Sequence, residues 1–275
     1  MIKFGVAGIP LCCKWRSLKE GVTFVKQLNL DAMEIRMFKD LGLEEEDLQE
    51  VGETARFHGV QLSAHAPSYI DFGEDEREAS IEKVESCGQA SALLGVDILV
   101  LHAGFYTDEN SISDSIDALK EISSFFAENN IDVKLGIETM GRKDIVGSLD
   151  DVVKICKSVK RSVPVLDFAH IHARTNGGLQ SVESFEDVFK KISSIRVKEH
   201  YIHFSGVYFD ESGERYHLPI KKDMPKFEHL AQVLLKHDYN ARIICESPVL
   251  EHDAQYMKII MDRVREKVYA KAGTQ

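Results

Sequence analysis

At 275 residues and 31.0 kDa the chain can bury a sizeable core and fits one barrel-sized domain spanning 1–275. Its 45 acidic against 34 basic side chains leave a net charge of -11, which opposes non-specific attraction to nucleic acid or an anionic membrane, although bound cations can still admit a phosphate locally. Five cysteines without CxxC spacing suggest a reducing compartment, and no signal peptide or stretch of membrane-spanning length is evident, so a cytoplasmic, non-membrane protein is expected.

The chain alternates between two periodicities. Residues 3–7 read as a strand closed by Gly8-Ile9-Pro10, and 15–28 place Leu18, Val22, Phe24, Val25 and Leu28 at helical spacing. A strand at 32–35 precedes a helix at 43–57 whose first turns are acidic, as the helix dipole favours. A strand at 60–64 leads to a long helix at 74–94 with Gly95 as its C-cap. Strand 97–101 leads to helix 111–128, and strand 133–137 to helix 149–159. The next strand is the apolar run Val163-Pro164-Val165-Leu166, with Pro164 near its start, where a missing donor is tolerated. Helix 182–192, strand 199–203, a polar loop at 206–224, helix 227–237, strand 242–245 and helix 254–268 complete the series.

Short apolar strands joined by helix-length crossovers imply parallel pairing covered by helices. Eight such units predict a (β/α)8 TIM barrel, with a doubly wound open sheet as the competitor. The polar residues favour the barrel. Apolar runs end at His65, His102, Glu138, Asp167, His203 and Glu246, on six different strands, and a barrel brings six strand ends to one mouth.

These residue types are metal ligands. Small residues after His65 and His102 leave room for a cation, and a neutral imidazole from each suits zinc, with manganese or iron also compatible. Glu138, Asp167 and Glu246 would be costly to bury unless paired or metal-bound, and carboxylates can bridge two metals about 3.5–4 Å apart. The bland alternatives are backbone-bonded histidines and ion pairs to Arg142, Arg174 or Lys198. His170 and His217 lie in expected loops and could form a third site or bind phosphate, whereas His172, His200 and His229 read as solvent-exposed. The turn from Arg174 to Gly178 could meet a phosphate, and Tyr69, Trp15 and Arg16 could touch substrate at the mouth. No Walker A sequence, dinucleotide fingerprint or nucleophile elbow is present.

The ordered set His65-Ala-Pro, His102-Ala-Gly, Glu138-Thr-Met-Gly, Asp167-x-x-His170, Ile202-His203-Phe-Ser and Cys245-Glu246-Ser-Pro resembles the endonuclease IV family, whose wider superfamily includes xylose-isomerase-like sugar isomerases and epimerases. The resemblance implies a trinuclear zinc site: His65, His102 and Glu138 on the first metal, Glu138 bridging to a second held by Asp167, His203 and Glu246, and His170 with His217 on the third. Where the family has Asp-x-His, this chain has Arg215-Tyr216-His217, so either Glu214 substitutes or the third metal is weak and Arg215 binds phosphate. Two zinc ions bound tightly, a third weaker, and Arg215 turned away from them are expected. The implied activity is hydrolysis of the phosphodiester 5' to an abasic site in DNA, with Glu138 and Glu246 catalytic. Basic residues near the mouth are few for a DNA enzyme, namely Lys14, Arg16, Arg36, Lys39, Arg142, Lys143 and Arg174. The alternatives are a sugar isomerase or epimerase, with Glu138 or Glu246 as base and a small sugar as substrate, and a non-catalytic protein stabilised by metal.

Overall fold

The computed structural model describes residues 1–14, 17–37, 42–221 and 224–272. In chain order the elements are β1 Ile2–Ala7, α1 Leu18–Gln27, β2 Ala32–Arg36, α2 Glu45–His58, β3 Gln61–His65, α3 Arg77–Leu93, β4 Ile98–Leu101, α4 Ser111–Glu128, β5 Lys134–Glu138, α5 Leu149–Ser158, β6 Ser162–Asp167, α6 Phe168–Arg174, α7 Val182–Ile192, β7 His200–Phe204, β8 Gly206–Asp210, β9 Gly213–Leu218, α8 Phe227–Lys236, β10 Ala241–Cys245 and α9 Glu251–Ala272. Eight of the strands close a parallel barrel in the order β1-β10-β7-β6-β5-β4-β3-β2, while β8 and β9 form a separate antiparallel hairpin. The (β/α)8 architecture is therefore the one the alternation predicts. None of its helices is long and apolar enough to cross a membrane, among the described residues.

Parity within each strand separates two cores. Met33, Ile35, Leu62, Leu99, Ile137 and Ile243 point outward and join the large core beneath the helices. Their neighbours Ala32, Ile98, Val100, Val165, Tyr201 and Ile244 point inward and form a smaller core inside the barrel. Below this layer, the inward Arg242 binds Asp97 at 2.7 Å and Glu199 at 2.9 Å, and Lys3 reaches Glu199 at 2.8 Å. Above it, the same parity carries the polar residues of the mouth.

Two elements differ from the sequence expectation. The segment after Asp167 is a helix, α6, where a loop was expected. Asp167 is its N-cap: one carboxylate oxygen accepts the backbone N–H of His170 at 2.7 Å. Seven residues are too few for helical periodicity to stand out beside an apolar strand. The expected polar loop at 206–224 contains the β8–β9 hairpin. Val207 and Phe209 pack on Ala169 and Ala173 of α6, and Tyr208 and Tyr216 stack at 5.0 Å on the opposite, exposed face. Helix α1 starts at Leu18 behind Ser17, whose hydroxyl accepts from Glu20 N at 3.2 Å. The candidates Trp15, Arg16 and Lys39 lie outside the described residues.

Candidate metal centre

The side chains that face inward near the C-terminal ends of the strands converge. His65 follows Ser63 on β3, Glu138 follows Gly136 on β5, Asp167 follows Val165 on β6, His203 follows Tyr201 on β7, and Glu246 stands just past β10. His102 stands just past β4. Glu138 occupies the centre. One of its oxygens lies 3.1 Å from Nε2 of His65 and 3.2 Å from Nε2 of His102, while the other lies 2.7 Å from Nδ1 of His203. Three groups bring one ligand atom per residue within 4.8 Å of one another: His65, His102 and Glu138; Glu138, Asp167, His203 and Glu246; and Asp167, His170, His217 and Glu246. Each group could hold a divalent cation.

The third group gains a further carboxylate through a β-bulge. Tyr208 pairs with Tyr216 and Phe209 with Glu214, so Arg215 has no cross-strand partner. The extra residue resets the alternation. His217 and Glu214 then share the inward face opposite Val207 and Phe209. Glu214 reaches Nε2 of His170 at 3.0 Å and Nε2 of His217 at 3.2 Å. Gly141 leaves the space: a Cβ there would stand 2.7 Å from a Glu214 carboxylate oxygen. Arg215 turns outward to Asp210, with Nε 2.6 Å from the carboxylate. Glu214 thus occupies the place where the Asp-x-His pattern would put residue 215.

Sequence reasoning missed Glu34. It is fully buried, lies 2.9 Å from Nε2 of His203, and accepts the hydroxyl of Tyr201 at 2.8 Å. The signal was present in parity. Ala32, Glu34 and Arg36 face inward on β2, whereas Met33 and Ile35 belong to the helix-facing core. Arg36 was counted only as a scattered basic residue, yet its guanidinium pairs with Glu246 at the rim.

Three buried polar atoms at the mouth have no hydrogen-bond partner among the described residues: the second oxygen of Asp167, one oxygen of Glu34, and Nδ1 of His102, whose Nε2 is the nitrogen beside Glu138. The bare oxygen of Asp167, a member of two ligand groups, is the one that fits a cation. The charge state points the same way. Burial pushes the Asp167 carboxyl up to about 6, and neighbouring Glu246 and Glu138 add to the rise against His170 and His217. Burial would lower His203, but Glu34, Glu246 and Glu138 outweigh it and hold the imidazole well above its usual range. His65, His170 and His217 are raised in the same way, again against burial, chiefly by Glu138, by Asp167 with Glu214, and by Glu214. Burial opposes ionisation of Glu246, yet Arg36 and His203 hold it at about 2. The metal-free cluster is balanced by protons on these imidazoles and on Asp167 together with Arg36, and a divalent cation bound here would take the place of those protons.

The other candidates lie apart. Tyr69 is 60% exposed on the loop after β3. Arg174 is directed at backbone carbonyls, 3.0 Å from that of Ile145 and 2.5 Å from that of Arg142, so the turn after it offers no free guanidinium. His172 is buried, contrary to expectation: its Nδ1 accepts from Leu179 N at 3.2 Å, and its ring meets Phe209 edge-on. His200 and His229 are half-buried against Phe189 and Phe185.

A family model described as a xylose isomerase-like TIM barrel matches residues 22–267. The chain belongs to this family. It is 31% identical over 270 residues to an uncharacterized protein of Methanocaldococcus jannaschii, covering 92% of this chain and 94% of that one. Among solved structures it is similar to a D-tagatose 3-epimerase-like protein, with a TM-score of 0.76, 20% identity and 98% and 99% of the two chains covered. It is also similar to an L-ribulose 3-epimerase, with a TM-score of 0.71, 12% identity and 98% of each chain covered.

These comparisons correct the expectation of an endonuclease IV. The family shown is the broader xylose isomerase-like one, and the two similar solved structures named above, matched over nearly the whole chain, carry the names of sugar epimerases. The mouth supplies the physical reason. Binding a DNA backbone requires cations turned toward solvent. Among the described basic residues, with Lys14 exposed, Arg36 is paired with Glu246, Arg142 with Asp144 and Arg215 with Asp210, Lys143 donates to the Glu211 carbonyl at 2.8 Å, and Arg174 is folded onto carbonyls. Phosphodiester hydrolysis, DNA repair, a zinc hydrolase and an abasic DNA partner are withdrawn together.

Proposed function

We propose that the chain is a metal-dependent isomerase or epimerase of a small sugar or polyol. The observation that carries this reading is the convergence of ligand atoms from Glu138, Asp167, His203 and Glu246 within 4.8 Å at one barrel mouth. The names of the similar solved structures supply the substrate class.

These four residues would hold one divalent cation, which when bound polarises a carbonyl or hydroxyl of the substrate. Glu138 and Glu246 come from β5 and the end of β10, two walls of the mouth separated by β6 and β7. On this reading one carboxylate would take a proton from the carbon beside a carbonyl, and the other would return a proton from a different side. Inversion at a single carbon needs that pair of transfers. Tyr69, exposed on the loop after β3, is assigned to substrate contact. His65 and His102 would hold a second cation with Glu138, and His170, His217 and Glu214 a third. The imidazole-rich positions suit zinc, and the carboxylate-rich first position suits manganese or iron as well.

The test is proton exchange. The protein loaded with Mn2+ or Zn2+ is incubated in D2O with a panel of ketoses and followed by NMR. Deuterium entering at the carbon beside the carbonyl, with appearance of the epimer or isomer and loss of both on chelation, is the expected result. Absence of exchange and product across the panel with metal-loaded protein would overturn the proposal.

A further inference from the structure

Glu34 has no place in the three ligand groups, yet it is fully buried at the level of the site. A carboxylate in that position is costly unless its oxygens are engaged. One oxygen lies 2.9 Å from Nε2 of His203 and accepts the Tyr201 hydroxyl at 2.8 Å, while the other has no hydrogen-bond partner among the described residues; the Tyr201 hydroxyl also meets that of Ser63, the register partner of Glu34 on β3. On the other side of the same imidazole, Nδ1 faces Glu138 at 2.7 Å. His203 is thus held between a carboxylate of the ligand set in front and Glu34 behind. Its ring is fixed by Tyr201 edge-on at 5.6 Å and by His65 stacked at 6.0 Å.

An imidazole can bind a cation through Nδ1 only if its proton sits on Nε2, and an acceptor behind the ring fixes that tautomer. We propose that Glu34 is the positioning residue of the metal centre: it accepts the Nε2–H of His203 and keeps Nδ1 turned toward Glu138, Asp167 and Glu246. The assignment rests on the metal-dependent reading above but not on its sugar substrate, because the experiment measures metal and not turnover.

Binding of Mn2+ and Zn2+ to the metal-free full chain is titrated for wild type, Glu34→Gln and Tyr201→Phe, with thermal melts of each metal-free form. Glu34→Gln should weaken the position held by His203 by about 10- to 100-fold, the usual effect of removing the partner behind a ligating histidine. Tyr201→Phe leaves the bond between Glu34 and His203 in place, so it should shift the melt while metal affinity stays within about two-fold. Equal losses of affinity in both variants, or none in Glu34→Gln, would overturn the proposal by showing that the network serves packing alone. Wild type gives an independent answer should Glu34→Gln not fold. With 15N-histidine and Zn2+ bound, NMR should find the metal on Nδ1 of His203 and the proton on Nε2, and the reverse arrangement would refute the inference. Tight metal binding with no activity on any ketose would instead remove the sugar reading and leave Glu34 in its role.

Discussion

Replacing Glu138 by glutamine probes the centre of the site with the smallest change of shape. The two carboxylate oxygens face three imidazole nitrogens at 3.1, 3.2 and 2.7 Å. An amide keeps one acceptor oxygen and turns the other position into a donor, so it cannot serve both the His65–His102 side and the His203 side. Each charge-assisted bond that weakens costs about 1.5–3 kcal/mol locally. The barrel should still form, because Leu135 and Ile137, which anchor β5 in the helix-facing core, are unchanged. The effect on metal should be larger. Partners one step behind a ligand cost about 10- to 100-fold in affinity, so losing a negative charge that two ligand groups share should cost at least about 100-fold, and bound metal should fall toward one per chain. Turnover should drop by about 10²–10⁴-fold, as when a positioned proton acceptor is lost. Circular dichroism, elemental analysis after dialysis and the D2O exchange assay measure the three effects on one preparation. Full metal content with wild-type exchange would refute both the bridging and the catalytic assignment.

Three further outcomes follow from the same side-chain contacts. Glu214→Ala should remove the cation position that His170 and His217 share, while Arg215→Ala should leave metal content unchanged because Arg215 faces Asp210; elemental analysis of the two variants decides, and the opposite pattern would place Arg215 in the site. Cation binding should release protons, because His65, His170, His203 and His217 titrate above their usual range in the metal-free chain. These imidazoles must be neutral to ligate, so affinity should rise with pH and fall as pH drops through their raised values, and calorimetry in two buffers of different ionisation enthalpy would expose a binding step without proton release. At the other end of the barrel, burial opposes ionisation of Asp97 and Glu199, but Arg242 on the first and Lys3 with Arg242 on the second hold both below the usual carboxylate range. Their contribution to stability is complete above the unfolded-state values near pH 4 and is lost as pH falls through the lowered folded-state values, so Arg242→Met should flatten the acid limb of urea stability measured from about pH 5 downward.

Much of this arrangement could be read from the chain. Apolar runs that end in His, Asp or Glu identified the strands, and strand parity explains why the same positions meet at one mouth. What stayed hidden depended on register and on short elements. Glu34 precedes the strand end by two residues, and a search for polar residues that close an apolar run passes over it, although it shares parity with Ala32 and Arg36. Glu214 could be named as a substitute for the missing aspartate, but the means by which it reaches the site could not be read, because spacing along a regular strand pairs residue 217 with 215. The bulge at Arg215 exists only in the pairing between β8 and β9. His170 was expected in a loop, but its place in the first turn of α6 explains the Asp167-x-x-His170 spacing. The N-cap uses one oxygen of Asp167 on the backbone of His170 and leaves the other bare toward the site. The basic residues could be counted in the sequence, but their partners could not, and those partners separate a mouth built for a polyanion from this one.

Charge balance carries the argument to the substrate. Glu34, Glu138, Asp167, Glu214 and Glu246 face one another around the mouth, with the guanidinium of Arg36 among them. Without metal the deficit is met by protons, on the raised histidines and on Asp167, which burial and its neighbours push up to about 6. In that state Asp167 is partly protonated and the protonated imidazoles lack lone pairs for a metal. Glu138 and Glu246 are ionised already in the metal-free chain, because neighbouring imidazoles, and Arg36 at Glu246, outweigh burial; divalent cations bound here would displace the histidine protons and ionise Asp167 as well. Two dications would balance the five carboxylates and one guanidinium, and a third, at His170, His217 and Glu214, would leave the mouth net positive. On the proposed reading, a neutral polyol would meet this mouth through its hydroxyls, which could ligate a bound cation without a fixed counter-charge from the protein.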